Sequence, residues 1–182
     1  DMRIEPNFLS THLAVHNSHP RAVVYGRIDP PPEDIPRPAF EYFYEKSLAD
    51  MYARFDQGEA PSGVNFFTGN VSVTKSLLDE VGGFDTTLRS AEDRDLGVRI
   101  ETQTDARFLY CTDANSFHYS DTGTFDGFRR RARSYGANDL QIYERSGRTE
   151  AHSPYKYLES ANPLKKFFVA LAKSSPPAAS VM

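Results

Sequence analysis

The spacing of hydrophobic positions changes period several times along the chain, and each change marks an element. Leu9, His12, Leu13 and His16 recur at helical spacing behind Pro6, which suits a first helical turn, and the polar run NSHP ends that helix. RAVVYGRI reads as a strand with Gly26 near its end. DPPPEDIPRP holds five prolines in ten residues and is neither helix nor central strand. The clearest helix follows, with Phe40, Phe43, Tyr44, Ser47, Leu48, Met51, Tyr52 and Phe55 on one stripe, and Gly58 ends it. VNFFTGNVSV is strand-like around Gly69-Asn70, and TKSLLDEV is a short helix stopped by Gly82-Gly83. A helix runs from near Glu92 to about Gln103, and ARFLYC is a strand. FDGFRRRARSYGANDLQIYE is a long amphipathic helix with Phe125, Phe128, Ala132, Tyr135 and Tyr143 on one side.

Beyond that helix the pattern loosens. PLKKFFVALAK reads as a short helix and SSPPAASVM as a disordered end. These elements predict an α/β layer fold, with one domain over residues 1–150 and a C-terminal extension over 151–182. Aromatic content of 13%, all Phe and Tyr, and 39% hydrophobic residues support a real core in a chain of 182 residues. A net charge of −4 disfavours nucleic acid as a partner. Cys111 is the only cysteine, so no internal disulfide forms, and no apolar run reaches transmembrane length. With no signal-peptide pattern, these features predict a cytoplasmic location. Lys165, Lys166 and Lys173 around FFVALA would suit a helix lying on the cytoplasmic face of a membrane, a peripheral contact, or plain packing.

The chemistry concentrates in RSAEDRDLGVRI. Ser90 as N-cap and Asp93 at the third helical position make a capping box with Asp in place of the usual Glu or Gln. The same carboxylate at a helix N-terminus, kept ionised by the dipole and facing a cleft, could accept a proton from a hydroxyl. Both readings stand on local pattern. His118 in ANSFHYSD is placed in a loop, as a structural residue or a metal ligand with carboxylate company. Arg129, Arg130, Arg131 and Arg133 make either a solvated basic face or a phosphate clamp. Gly69 marks a bulge or a close approach of ligand to backbone, with Asn70 able to donate and accept there.

The order of motifs says more than any one of them. Gly69-Asn70-Val71-Ser72, Gly82-Gly83-Phe84-Asp85, Glu92-Asp93-Arg94-Asp95-Leu96-Gly97 and then His118 follow in sequence. Over about residues 1–145 this succession resembles the C-terminal half of a family 2 glycosyltransferase of the GT-A fold. The resemblance implies the acceptor-side part of that fold. Asp1 would be the last residue of the family's acidic motif, and the N-terminal nucleotide-binding half would lie upstream. The position before the Glu-Asp pair is often Gly in the family and is Ala91 here.

The implied activity is transfer of a sugar, with inversion, from a nucleotide-sugar donor, expected to be uridine diphosphate-linked, to a hydroxyl of a glycan or lipid-linked saccharide. Asp93 matches the general base, and Glu92 would position the acceptor or the base. Asp1 and His118 would hold Mg²⁺ or Mn²⁺ on the diphosphate. Gly69 and Asn70 would line the donor-sugar pocket, Asp95 would join the substrate contacts, and Arg129 and Arg133 would approach the diphosphate. The rival expectation keeps the fold without turnover: an incomplete fragment that only binds a sugar or a partner.

Overall fold

A computed structural model of the chain describes all residues except 1, 34, 89, 121–122, 150–151, 156–162, 165, 168–169 and 171–182. The architecture is mixed α/β. In chain order the elements are β1 (Met2–Ile4), α1 (Phe8–Ser18), β2 (Ala22–Asp29), α2 (Ala39–Asp56), a single 3-10 turn (Gly63–Asn65), β3 (Val71–Val73), α3 (Lys75–Glu80), α4 (Glu92–Gln103), β4 (Arg107–His118) and α5 (Phe125–Arg145). Two compact units divide the chain, residues 1–138 and 139–182.

The four strands form one mixed sheet in the order β1-β4-β2-β3. β2 and β4 pair in parallel, while β1 and β3 flank them antiparallel. β2 is buried along nearly its whole length, as the unbroken apolar run AVVY requires of a strand covered on both faces. Val23 and Tyr25 pack with Phe66, Leu96 and Ile100, so α4 covers one face. Ile28 packs with Leu48, Met51, Tyr52 and Phe55, so the C-terminal half of α2 belongs to a second cluster. Each such side chain contributes about 1.5–3 kcal/mol by leaving water.

Gly97 allows α4 to approach the 3-10 turn. A Cβ there would run into the Gly63 carbonyl and the Phe66 side chain. The glycine of the Asp95-Leu96-Gly97 sequence is therefore required by packing.

Several expectations are corrected. β4 does not stop after Cys111; it runs on to His118 through a bulge, because the register jumps from Gly26 opposite Cys111 to Arg27 opposite Asn115. His118 is therefore the last residue of a strand. Only Val71–Val73 of VNFFTGNVSV is strand. The α2 stripe is core only from Leu48 onward; Phe43 and Tyr44 are exposed. In α1 the histidines face inward, with His12 4% exposed, while Leu9 is 72% exposed. Of the C-terminal helix, Pro163, Leu164, Lys166, Phe167 and Ala170 are helical, and Lys173 and SSPPAASVM lie outside the described residues. Among the described residues no helix is long and apolar enough to cross a membrane.

Candidate functional site

The N-cap of α4 is Ala91, whose φ of 58° lies in the left-handed region, and no side chain caps the helix. Ser90 is not the N-cap. Its hydroxyl is instead 2.6 Å from the Ser134 hydroxyl and accepts a 2.6 Å bond from the Asn138 amide, both on α5. The left-handed backbone supplies a reason for glycine at this position, since a Cβ costs about 1–2 kcal/mol there. Ala91→Gly is accordingly expected to raise stability by about 0.5–1 kcal/mol after the loss of one buried methyl, measurable by urea unfolding; a loss of more than that would refute strain at Ala91.

Asp93 follows in the first turn. Its carboxylate accepts the Arg94 N–H at 2.8 Å and the Thr68 N–H at 3.4 Å. Burial raises the carboxyl above the ordinary aspartate range, the two amide bonds pull it back, and the neighbouring Glu92 charge raises it again. The helix dipole alone would keep this group acidic; partial burial outweighs it.

Two tyrosines outside the expected site lie within electrostatic reach of Asp93. Tyr44 on α2 and Tyr135 on α5 keep part of their surface in water, but desolvation by the groups around them still raises both phenols, and both feel the Asp93 charge and an opposing contribution from Arg131. Arg131 is thus an α5 arginine whose charge acts on both tyrosines. Arg129 pairs with Asp126 at 3.3 Å on the surface, and Arg133 is exposed. No local pattern separates Arg131 from its neighbours in RRRAR; only the helix phase does.

Tyr44 also lines a cavity of about 240 Å³ that reaches His118 and the proline-rich segment. His118 stands opposite Met2 in the β1–β4 register. Asp1, its expected metal partner, lies outside the described residues. Among the described residues no group of three or more His, Cys, Asp or Glu side chains could hold a metal ion. His118 is the one expected metal donor among the described residues, and a single imidazole does not by itself hold Mg²⁺ or Mn²⁺.

The remaining expected ligands face inward. Asp95 is 3% exposed and accepts a 2.8 Å bond from Arg99 Nε. The other guanidinium nitrogens of Arg99 donate to the carbonyls of Val81 and Gly83 at 2.7 Å each. The two motifs are thereby tied together: Asp95 orients Arg99, and Arg99 holds the Gly82-Gly83 turn against α4. Arg99→Lys cannot reproduce this three-way fork. It is expected to cost about 1–3 kcal/mol in urea unfolding and to speed amide exchange through residues 81–83; unchanged exchange would refute the latch.

Asn70 is 3% exposed and fully occupied. Its amide nitrogen contacts the carbonyls of Arg27 (2.8 Å) and Ala114 (2.9 Å) and the Ser116 hydroxyl (3.0 Å). Its Oδ1 is 3.0 Å from His12 Nε2. It brackets the β4 bulge, the end of β2 and α1. Gly69 packs beside Ile28 and Met2. Comparison with protein-family models and with curated proteins finds no match for this chain.

Proposed function

We propose that the chain is the acceptor-side part of a GT-A-type glycosyltransferase, with Asp93 as the general base. The carrying observation is the Asp93 carboxylate: partly buried, oriented by two backbone amides at the start of α4, and raised in basicity by its surroundings. A proton acceptor works best when its pKa lies closer to the operating pH than that of a free aspartate. In the proposed step Asp93 takes the proton of an acceptor hydroxyl. The freed oxygen pair forms the bond to the anomeric carbon, the bond from that carbon to the diphosphate oxygen breaks, and the nucleoside diphosphate leaves with the electron pair. Glu92, next in chain and half-buried, raises Asp93 and is suited to orienting the acceptor.

The ordered motifs give this reading its reaction class, and the structure supplies physical roles for them. GNVS and EDRDLG hold internal bracing that places the Asp93 end of α4 beside Thr68. The test is acceptor-dependent release of nucleoside diphosphate from a panel of nucleotide sugars. Release that appears only with a saccharide acceptor supports transfer. Sugar binding without release from any donor favours the binding-module reading.

A further inference from the structure

The proline-rich segment had no role in the sequence argument, and in the structure it walls the cavity. Pro30, Pro31, Ile35 and Pro36 supply apolar surface, and His118 and Tyr119 line the same cavity. The wall is fastened. Glu33 accepts 2.6 Å and 2.7 Å bonds from Arg3 and from the Tyr119 hydroxyl, tying the segment to β1 and to the end of β4. Tyr119 first and Arg3 second lower Glu33 to about 2, so the clasp persists through mildly acidic pH.

Inside, the polar groups divide into satisfied and unsatisfied ones. Asp29 is paired with Arg27, and Glu45 with the terminal nitrogen of Arg37. Glu41, in the first turn of α2, is 6% exposed, yet among the described residues no hydrogen-bond donor is placed on its carboxylate. Four positions earlier, Arg37 Nε is buried with no acceptor. A buried donor left open costs folding free energy unless a ligand engages it, and Glu41 offers an acceptor on the wall of the same cavity.

We propose that Arg37 Nε and Glu41 bind hydroxyl groups of one uncharged sugar ring in this cavity. A hydroxyl both accepts and donates, so it can take the Arg37 N–H and give its own hydrogen to Glu41. An anionic sugar would meet the unpaired Glu41 charge and is rejected. The volume is below the roughly 300–1,000 Å³ of drug-sized pockets, which limits the occupant to a single ring. Apolar C–H faces of that ring suit the proline wall and Leu48. The assignment rests on the glycosyltransferase reading and names the charge class of the sugar it handles.

The test is titration of the chain with methyl glucoside, galactoside and mannoside, and with methyl glucuronide, followed by ligand-observed NMR. At least one neutral glycoside is expected to saturate, with no saturation by the glucuronide. Glu41→Gln should weaken that binding about tenfold or more through loss of a charge-assisted bond. Arg37→Lys, which removes Nε–H, should weaken it as well, with thermal melts showing both variants folded. Absence of saturation by every neutral glycoside, or binding indifferent to both substitutions, overturns the proposal. Asp93→Asn should leave glycoside binding intact. Binding that depends on Glu41 in a chain without transfer would sink the transferase reading alone. Asp93-dependent transfer whose acceptor and donor KM ignore Glu41→Gln would sink this one alone.

Discussion

Asp93→Asn is expected to lower sugar transfer by about 10²–10⁴-fold, the range supplied by a positioned proton acceptor. Asn keeps the shape and its one oxygen can still accept the 2.8 Å Arg94 amide bond, while the longer 3.4 Å bond from Thr68, made to the other carboxylate oxygen, is given up, so the α4 start should survive. Donor binding should remain near wild type, which separates loss of the base from loss of the fold. In the wild type the rate should fall on acidification as Asp93 takes up its proton. The midpoint of that limb should lie above the ordinary aspartate value of about 3.9, because burial raises the group. The stability effect has the opposite direction to the activity effect. A carboxyl with a raised folded pKa binds protons more tightly folded than unfolded, so stability falls as pH rises through that window. At neutral pH burial of the ionised Asp93 is thus a cost, which offsets the loss of the long Thr68 bond, and Asp93→Asn should be close to wild type in stability. A large drop in melting temperature at neutral pH would mean that Asp93 braces the fold instead.

Asn70→Ala is expected to cost about 3–5 kcal/mol in urea unfolding, because the buried Arg27 and Ala114 carbonyls and His12 Nε2 lose their partner together. Asn70→Asp tests the direction of the bonds rather than their presence. It would turn a carboxylate oxygen toward two carbonyl oxygens, and it should cost at least as much. The site is also closed to larger neighbours, since a Cβ on Gly26 would collide with the Asn70 amide and the Ala114 carbonyl. The bracket extends through histidines. His12 Nδ1 and His16 Nε2 lie 2.7 Å and 2.8 Å from the Ser72 hydroxyl. Burial lowers both rings, His12 against an opposing bond from Asn70 and His16 with added repulsion from His12. Histidines with depressed folded pKa values give up stability as pH falls below their unfolded value of about 6.5. Wild-type stability should therefore decline across that window, and replacing both rings should flatten the slope; a mild loss in Asn70→Ala would show that the bulge holds itself.

The helices were readable from periodicity wherever one face meets the sheet, as α4 shows at Glu92–Gln103. The strand β2 was readable because both of its faces are covered. What failed has identifiable causes. Ser90 looks like an N-cap by residue type, but the left-handed Ala91 rotates the chain and sends the hydroxyl to α5. Tyr44 and Leu48 share one stripe in the sequence, yet the stripe leaves the core halfway along α2 and faces the cavity instead. His118 looked like a loop residue because three bulge residues break the apolar pattern of β4. Asn70 is the sharpest case. Its motif was visible, but a polar residue beside a glycine signals a ligand site and a buried bracket equally well, and only the positions of Arg27, Ala114 and His12 decide. Glu41 left no local signal at all, since burial of a charged residue in a first helical turn depends on a segment ten residues upstream folding over it.

The most direct measurement is the anomeric configuration of the new glycosidic bond, read by NMR at early times from a donor of known configuration. A base on the acceptor side and a single displacement predict inversion in the wild type and product formation slowed by about 10²–10⁴-fold in Asp93→Asn. A retained configuration, or an inverted product formed at the wild-type rate by Asp93→Asn, would contradict the account.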